Sequence, residues 1–182
     1  MYGKFRQLLG VLLAGMVGVA TAADEGKVVV VIEGLKSVAP AEWKEEPVSN
    51  RMRYAQFVLP KEKGDDRNGE VIIFKGLGGS AKANIDRWVG MFKTADGDKI
   101  KNPKVKEIKV AGVPSAYLDV NGTYLFKTAP FDPNAKAMAM ENYRMLAVHV
   151  EGETIYHIRL VGPAKTVAKY APGFDKWLES FK

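Results

Sequence analysis

Tyr143-Arg-Met-Leu-Ala-Val-His149-Val150-Glu-Gly152-Glu-Thr154-Ile-Tyr-His157-Ile-Arg-Leu-Val161 decides the fold. Two runs rich in β-branched and aromatic residues, Tyr143 to Val150 and Thr154 to Val161, flank a short polar break at Gly152. That pattern is a hairpin. A connection this short joins only antiparallel strands. With a three-residue loop, Glu151 to Glu153, Val150 pairs with Thr154. Leu146, Val148 and Val150 then share a face with Tyr156, Ile158 and Leu160. His149 and His157 fall on the opposite face as diagonal neighbours. A two-residue loop would put the histidines on opposite faces. The first register sorts apolar from polar more cleanly.

The same alternation extends outward. Lys27 to Ile32, Arg53 to Leu59, Glu70 to Lys75, Val105 to Val110 and Ser115 to Val120 read as strands, with Thr123 to Phe126 as a possible extension. In Arg53 to Leu59, the residues Ala55, Phe57 and Leu59 share one face. Pro60 ends that strand because proline cannot donate to the ladder. Lys61 to Gly69 is a charged turn, and a break at Gly112 to Pro114 joins two strands. Gly76 to Gly79 interrupts the chain before Ser80, a good N-cap. Ala81, Ile85, Trp88, Val89 and Phe92 then lie on one helical stripe. A second helix closes the chain on Phe174, Trp177, Leu178 and Phe181, after a turn or two at Lys165 to Tyr170 and an interruption at Ala171-Pro172-Gly173. Thr128 to Asn142 has little periodicity and reads as a mobile loop. The expected fold class is α+β: an antiparallel β-sheet flanked by amphipathic helices.

The 182 residues contain no cysteine, 27 Lys and Arg against 21 Asp and Glu, and 47% apolar residues. That length suits one domain and buries enough surface to fold without metals or disulfides. Without cysteine there is no disulfide scaffold, cysteine nucleophile or thiolate zinc site. Residues 1–22 have the layout of a secretory signal peptide. Lys4 and Arg6 precede an apolar run from Leu8 to Val19, and Ala20-Thr21-Ala22 supplies a cleavage site. The expected organisation is a signal peptide at 1–22 and a single α+β domain at 23–182. Cleavage removes Lys4 and Arg6, so the net charge falls from +6 to +4. A charge of that size is ordinary solubility charge and does not argue for nucleic acid. The expected location is exported and bacterial, periplasmic or extracellular, with no transmembrane span after cleavage.

Several stretches invite chemistry. Gly76-Leu-Gly78-Gly79-Ser80 could hold an anion at a helix N-terminus, but it matches neither the dinucleotide fingerprint nor a Walker loop. A tight turn and an N-cap explain it. His149 and His157 make half of a metal site, and two face-exposed polar residues are the plainer reading. Met138, Met140 and Met145 suit Cu(I), although an alanine-rich packing segment accounts for them. Asp65-Asp66 and Asp96-Gly97-Asp98 lack the ligand spacing of a calcium loop and read as surface turns. Lys99, Lys101, Lys104, Lys106 and Lys109 protect an edge strand or meet an acidic partner or headgroups. Asn121-Gly122-Thr123 matches a glycosylation acceptor but reads as an Asn-Gly turn. Trp88 and Trp177 belong to the core; Trp43 caps the core or lines a groove. No nucleophile with a base and an orienting group emerges.

Pro40-Ala-Glu-Trp43, the hairpin strands leading to a helix, and the closing Phe174-Asp-Lys-Trp177-Leu-Glu-Ser180-Phe181 together resemble the PsbP-like superfamily. Its photosynthetic members are extrinsic subunits of photosystem II. Arg51-Met-Arg-Tyr-Ala-Gln-Phe-Val-Leu-Pro60, Ala83-Asn-Ile-Asp-Arg-Trp88 and Asn142-Tyr-Arg-Met-Leu146 are similar to a group of uncharacterised exported bacterial proteins. The resemblance implies an antiparallel sheet flanked by helices and a binding or assembly role without catalysis. It transfers no functional residue. The expectation is a non-catalytic binding or accessory module of the cell envelope, a monomer with no cofactor. Its partner would be another envelope protein or a small ligand, not nucleic acid. The alternatives are a periplasmic metal-handling protein using the histidine pair and nearby methionines, and an enzyme whose site assembles in space, for which Gly76 to Ser80 is the candidate place.

Overall fold

The computed structural model describes residues 27–128, 132 and 134–182. The signal-peptide reading of residues 1–22 lies outside the described residues. The elements in chain order are β1 (Val29–Ile32), β2 (Leu35–Val38), β3 (Lys44–Glu45), β4 (Arg53–Leu59), β5 (Gly69–Lys75), α1 (Ala81–Val89), β6 (Phe92–Lys93), β7 (Lys104–Val110), β8 (Val113–Phe126), β9 (Met138–Glu151), β10 (Ile155–Pro163) and α2 (Ala164–Glu179). Among the described residues, β3-β4-β5-β10-β9-β8 form one antiparallel sheet, and β6 and β7 both pair with the far side of β8. β1 and β2 make a separate hairpin. No described helix is long and apolar enough to cross a membrane.

Both sheet faces are covered, so the fold is α+β with helices on either side. On one face Tyr156, Ile158 and Leu160 pack against Val167, Tyr170, Phe174, Trp177 and Leu178 of α2, joined by Val30 and Ile32 of β1. Trp43 caps this core, its ring 5.6 Å from Phe57 and 5.2 Å from Trp177. On the other face Ile85 and Trp88 of α1, together with Phe92, cover Leu118, Val120, Met145 and Ala147. The β1–β2 hairpin is tied down at both ends. Glu33 accepts hydrogen bonds from the Glu153 and Thr154 amides at the β9–β10 turn. The backbone of Lys36 pairs with that of Lys182.

Several expectations need correction. The proline interruption does not break the second helix: α2 runs continuously through Pro172. Its buried stripe from Thr166 to Leu178 anchors both sides of the missing hydrogen bond. The first helix ends at Val89, and Phe92 reaches the same core from β6 instead. Asn121-Gly122 is not a turn. It lies inside the 14-residue β8, where the register with β9 shifts between Gly122 and Tyr124. The mobile-loop reading of Thr128 to Asn142 fails from Met138 onward, because β9 begins there. Asn142, at φ 56°, bulges within it. The extra residue is on β9, and this bulge twists the tip of the long hairpin.

Candidate functional site

The β9–β10 loop is Gly152 to Thr154, so Val150 pairs with Tyr156 rather than Thr154. The shift is two residues, which keeps every side chain on its expected face. It also brings His149 directly opposite His157, where diagonal neighbours were expected. Their ring centroids are 5.1 Å apart. They are not face-exposed: each is 1% exposed, because α1 lies over them and Trp88 meets the His157 ring edge-on at 5.2 Å. His149 Nε2 lies 3.3 Å from Glu151 Oε2. His149 Nδ1 and His157 Nε2 are sealed from solvent without a partner among the described residues. Burial, then the neighbouring His149, Arg87 and Arg159, pushes the His157 pKa down to about 4. It is therefore a neutral imidazole at pH 7.

The face that holds the histidines is rich in positive groups. Arg159 follows His157 by two residues on β10, so it points to the same side. Its guanidinium stacks 4.6 Å from the Phe74 ring. Its Nε is buried and without a partner. Burial, reinforced by Arg87 and Arg53, lowers its pKa to about 10, with Tyr124 and Glu70 acting in the opposite sense. It remains a cation at neutral pH. Arg53 donates to Gln56 Oε1 at 2.7 Å and lies 3.8 Å from Glu70, while its own Nε has no partner. Arg87 donates to Asn84 Oδ1 at 2.7 Å.

Glu70 and Tyr124, which act on Arg159, also line an adjoining cleft of about 240 Å³. The cleft opens between the β4–β5 end of the sheet and the tip of the β8–β9 hairpin. Phe126, Met140 and Tyr143 form its apolar wall, with Tyr124 and Tyr143 stacked at 6.0 Å. Val161 and Gly162 of β10 contribute from the sheet itself. A second cavity of about 220 Å³ lies between β7, β8 and α2. Arg144 makes a two-pronged bond to Asp119, both at 2.8 Å, Tyr117 donates to Asp175 at 2.8 Å, and Lys104 and Lys106 also line it, Lys106 over the Tyr117 ring at 4.4 Å. Burial and that bond push the Tyr117 phenol up. Arg159 lies beside the α1-face cleft, two residues along β10 from Val161 of its wall, and its Nε has no partner among the described residues.

The other singled-out stretches fall elsewhere. Ser80 caps α1 by accepting from Ala83 N at 3.3 Å. The glycine junction before it is filled by Asn84, whose amide donates to the carbonyls of Gly78 and Ser80. The strand feeding it is antiparallel to its neighbours, unlike the parallel arrangement of dinucleotide sites. Met140 and Met145 are buried in the α1-face core, and Met138 is exposed. Met145 is four residues from His149, roughly 13 Å along the strand, so it cannot share an ion with the pair. Among the described residues no three His, Cys, Asp or Glu gather into a metal-holding group. Asp65 is more than a surface turn: its carboxylate accepts from Thr166 N and Oγ1, at 2.9 and 2.6 Å, at the start of α2. Asp98 closes a turn with Thr94. β7 pairs only with β8, and Lys104, Lys106 and Lys109 stand exposed along this edge, which fits edge protection. Arg159, Arg53, Tyr124 and Tyr143 were not singled out from the sequence. The available signal was Arg159 interrupting an otherwise apolar strand on the histidine side.

The chain is an antiparallel sheet with a helix on each face. No family model and no curated protein sequence matches the chain. Among solved structures it is similar to LpqN of Mycobacterium tuberculosis, described as involved in cell envelope biogenesis, at 10% identity over 88% of this chain and 86% of that one, with a TM-score of 0.50. The cyanobacterial PsbP protein CyanoP of Synechocystis sp. PCC 6803 matches at 15% identity over 96% and 98% of the two chains, TM-score 0.49. Protein PA94 of Pseudomonas aeruginosa matches at 11% identity over 85% and 94%, TM-score 0.45. The likeness is one of fold.

Proposed function

We propose that this protein is an exported, monomeric accessory module of the bacterial envelope that works by binding, through the α1-face cleft, without catalysing a reaction. The observation that carries the reading is the cleft itself: an apolar, aromatic wall on one side of a rigid sheet, beside cationic groups with unpartnered donors. Concave sites of that composition hold ligands. The signal-peptide layout of residues 1–22 supports export, and the envelope role ascribed to LpqN supports the location.

The test is native mass spectrometry of the protein purified gently from its own envelope. A retained mass that Tyr143→Ala loses is the expected result. A bare chain from wild type, with no cross-linked partner in intact cells, would overturn the binding reading. Turnover in a broad hydrolase screen, abolished by mutating one buried polar residue, would overturn the non-catalytic part.

A further inference from the structure

The cleft's chemistry narrows what it holds. Arg159 has no hydrogen-bond or ion-pair partner among the described residues, and its Nε is buried. The carboxylate that acts on it, Glu70, is already 3.8 Å from Arg53. His157, 1% exposed, leaves Nε2 unpartnered on the same face. Buried donors are almost always satisfied, and the buried Nε of half-buried Arg159 is not. A stacked guanidinium with free N–H groups matches the two-pronged geometry of a carboxylate. A phosphate site usually adds a helix N-terminus, but the α1 N-terminus is plugged by Asn84. Tyr124, Phe126 and Tyr143 offer an aromatic surface next to the charge. The volume, about 240 Å³, is below the roughly 300–1,000 Å³ usual for drug-sized ligands, which suits one ring or a short acyl chain and excludes a long lipid.

We propose that the α1-face cleft binds a small organic carboxylate, its acid group on Arg159 and its apolar body against Tyr124, Phe126 and Tyr143. This rests on the reading of the cleft as the binding site. The experiment titrates wild type and Arg159→Met with 3-phenylpropionate, benzoate and hexanoate, and with the neutral amide of each, by calorimetry. At least one acid binds wild type tenfold or more tightly than its amide, and Arg159→Met loses that preference. Arg159→Met melts at or above the wild-type temperature, because a half-buried charge with an unpartnered Nε has been replaced by an apolar chain. A purely structural stacking role on Phe74 would instead lower the melting temperature and leave no acid preference to lose. Acids and amides binding equally would overturn the carboxylate assignment while leaving the cleft as a binding site. An acid preference undiminished in Arg159→Met would overturn the role of Arg159. Failure of all three acids to bind wild type would overturn the inference, whereas the broader binding reading stands or falls on the mass retained from the envelope. The acid-against-amide comparison in wild type needs no variant and stays decisive if Arg159→Met does not fold.

Discussion

His157 sits where a proton is unwelcome: under Trp88, opposite His149, and near Arg87 and Arg159. Its pKa is about 4 in the fold, against about 6.5 in an unfolded chain. Between those values the unfolded state takes up a proton that the folded state refuses. Stability therefore rises with pH through that window and is lost as pH falls. One proton gives a slope of at most about 1.4 kcal/mol per pH unit. Urea unfolding of wild type at pH 7 and pH 5 should show the loss, and His157→Phe, which keeps a ring under Trp88, should show less of it. Equal losses in the two proteins would mean that His157 protonates freely in the fold. The residue scale also shows where reading the chain stopped. Alternation along Tyr143 to Val161 is enough to place both histidines opposite Tyr156, because a two-residue slip preserves parity. Their burial was not legible. It depends on where α1 lands across the sheet, and no local pattern around His149 or His157 encodes that. Arg159 stayed hidden for the same reason: a cation on a strand reads as solvent-facing until the covering layer is known.

At the scale of elements, α2 carries two features that local sequence rules misjudge. Pro163 stands at its N-cap and provides no side-chain bond. Asp65, about a hundred residues earlier in the charged turn after β4, supplies it instead. Asp65→Ala should cost about 1 kcal/mol, the usual loss for a capping side chain, and more if the fully buried Thr166 hydroxyl is left without an acceptor. Chemical denaturation measures it; an unchanged midpoint would show that solvent replaces the cap. Tertiary packing also overrides Pro172, since a helix stripe buried on both sides of one missing bond outweighs it. The β8–β9 ribbon makes the opposite point. Asn121-Gly122 carries a strong turn signature, yet Gly122, at φ 146°, stays paired within β8 beside the β9 bulge, and its missing side chain lets the Lys93 carbonyl approach. A Cβ there would overlap that carbonyl backbone. Gly122→Ala should destabilise by about 2 kcal/mol, the range of strained backbone substitutions. Because β6 pairs with Tyr124 as well as Thr123, a shift of Lys93 should disturb Tyr124 and weaken ligand retention. A Gly122→Ala protein with wild-type stability and binding would show that β6 moves aside at no cost.

The whole molecule treats its two faces unequally, and that asymmetry creates the cleft. α2 has 16 residues, roughly 24 Å of helix, and shares its face with the β1–β2 hairpin. α1 has nine residues, roughly 14 Å, and leaves the rest of its face to the twisted tip of the β8–β9 ribbon. Each face keeps an opening, about 220 Å³ beside α2 and about 240 Å³ at the ribbon tip, and the one at the ribbon tip has the aromatic wall. The antiparallel sheet flanked by helices was legible because hairpin lengths and helical stripes are local. The lengths of β8 and β9, the short strands β2, β3 and β6, and the unequal cover were not, because each depends on long-range pairing. The division of labour can be tested from the α2 side. Glu33, at φ 49°, turns the β1–β2 hairpin and latches it to the β9–β10 turn through two amides. A Cβ on Gly152 would stand 2.7 Å from the Glu33 carboxyl carbon, so a side chain there would displace the latch. Bonds to a charged acceptor each contribute about 1.5–3 kcal/mol, reduced here by partial exposure. Glu33→Ala should lower stability by about 1–2 kcal/mol and speed amide exchange in β1, β2 and residues 152–154. Carboxylate binding on the other face should not change, since the latch touches neither Arg159 nor the aromatic wall. Hydrogen exchange with calorimetry on the same sample reads both. Loss of binding in Glu33→Ala would mean that the faces are coupled through the β9–β10 hairpin, and that the hairpin relays the latch to the row of His149, His157 and Arg159.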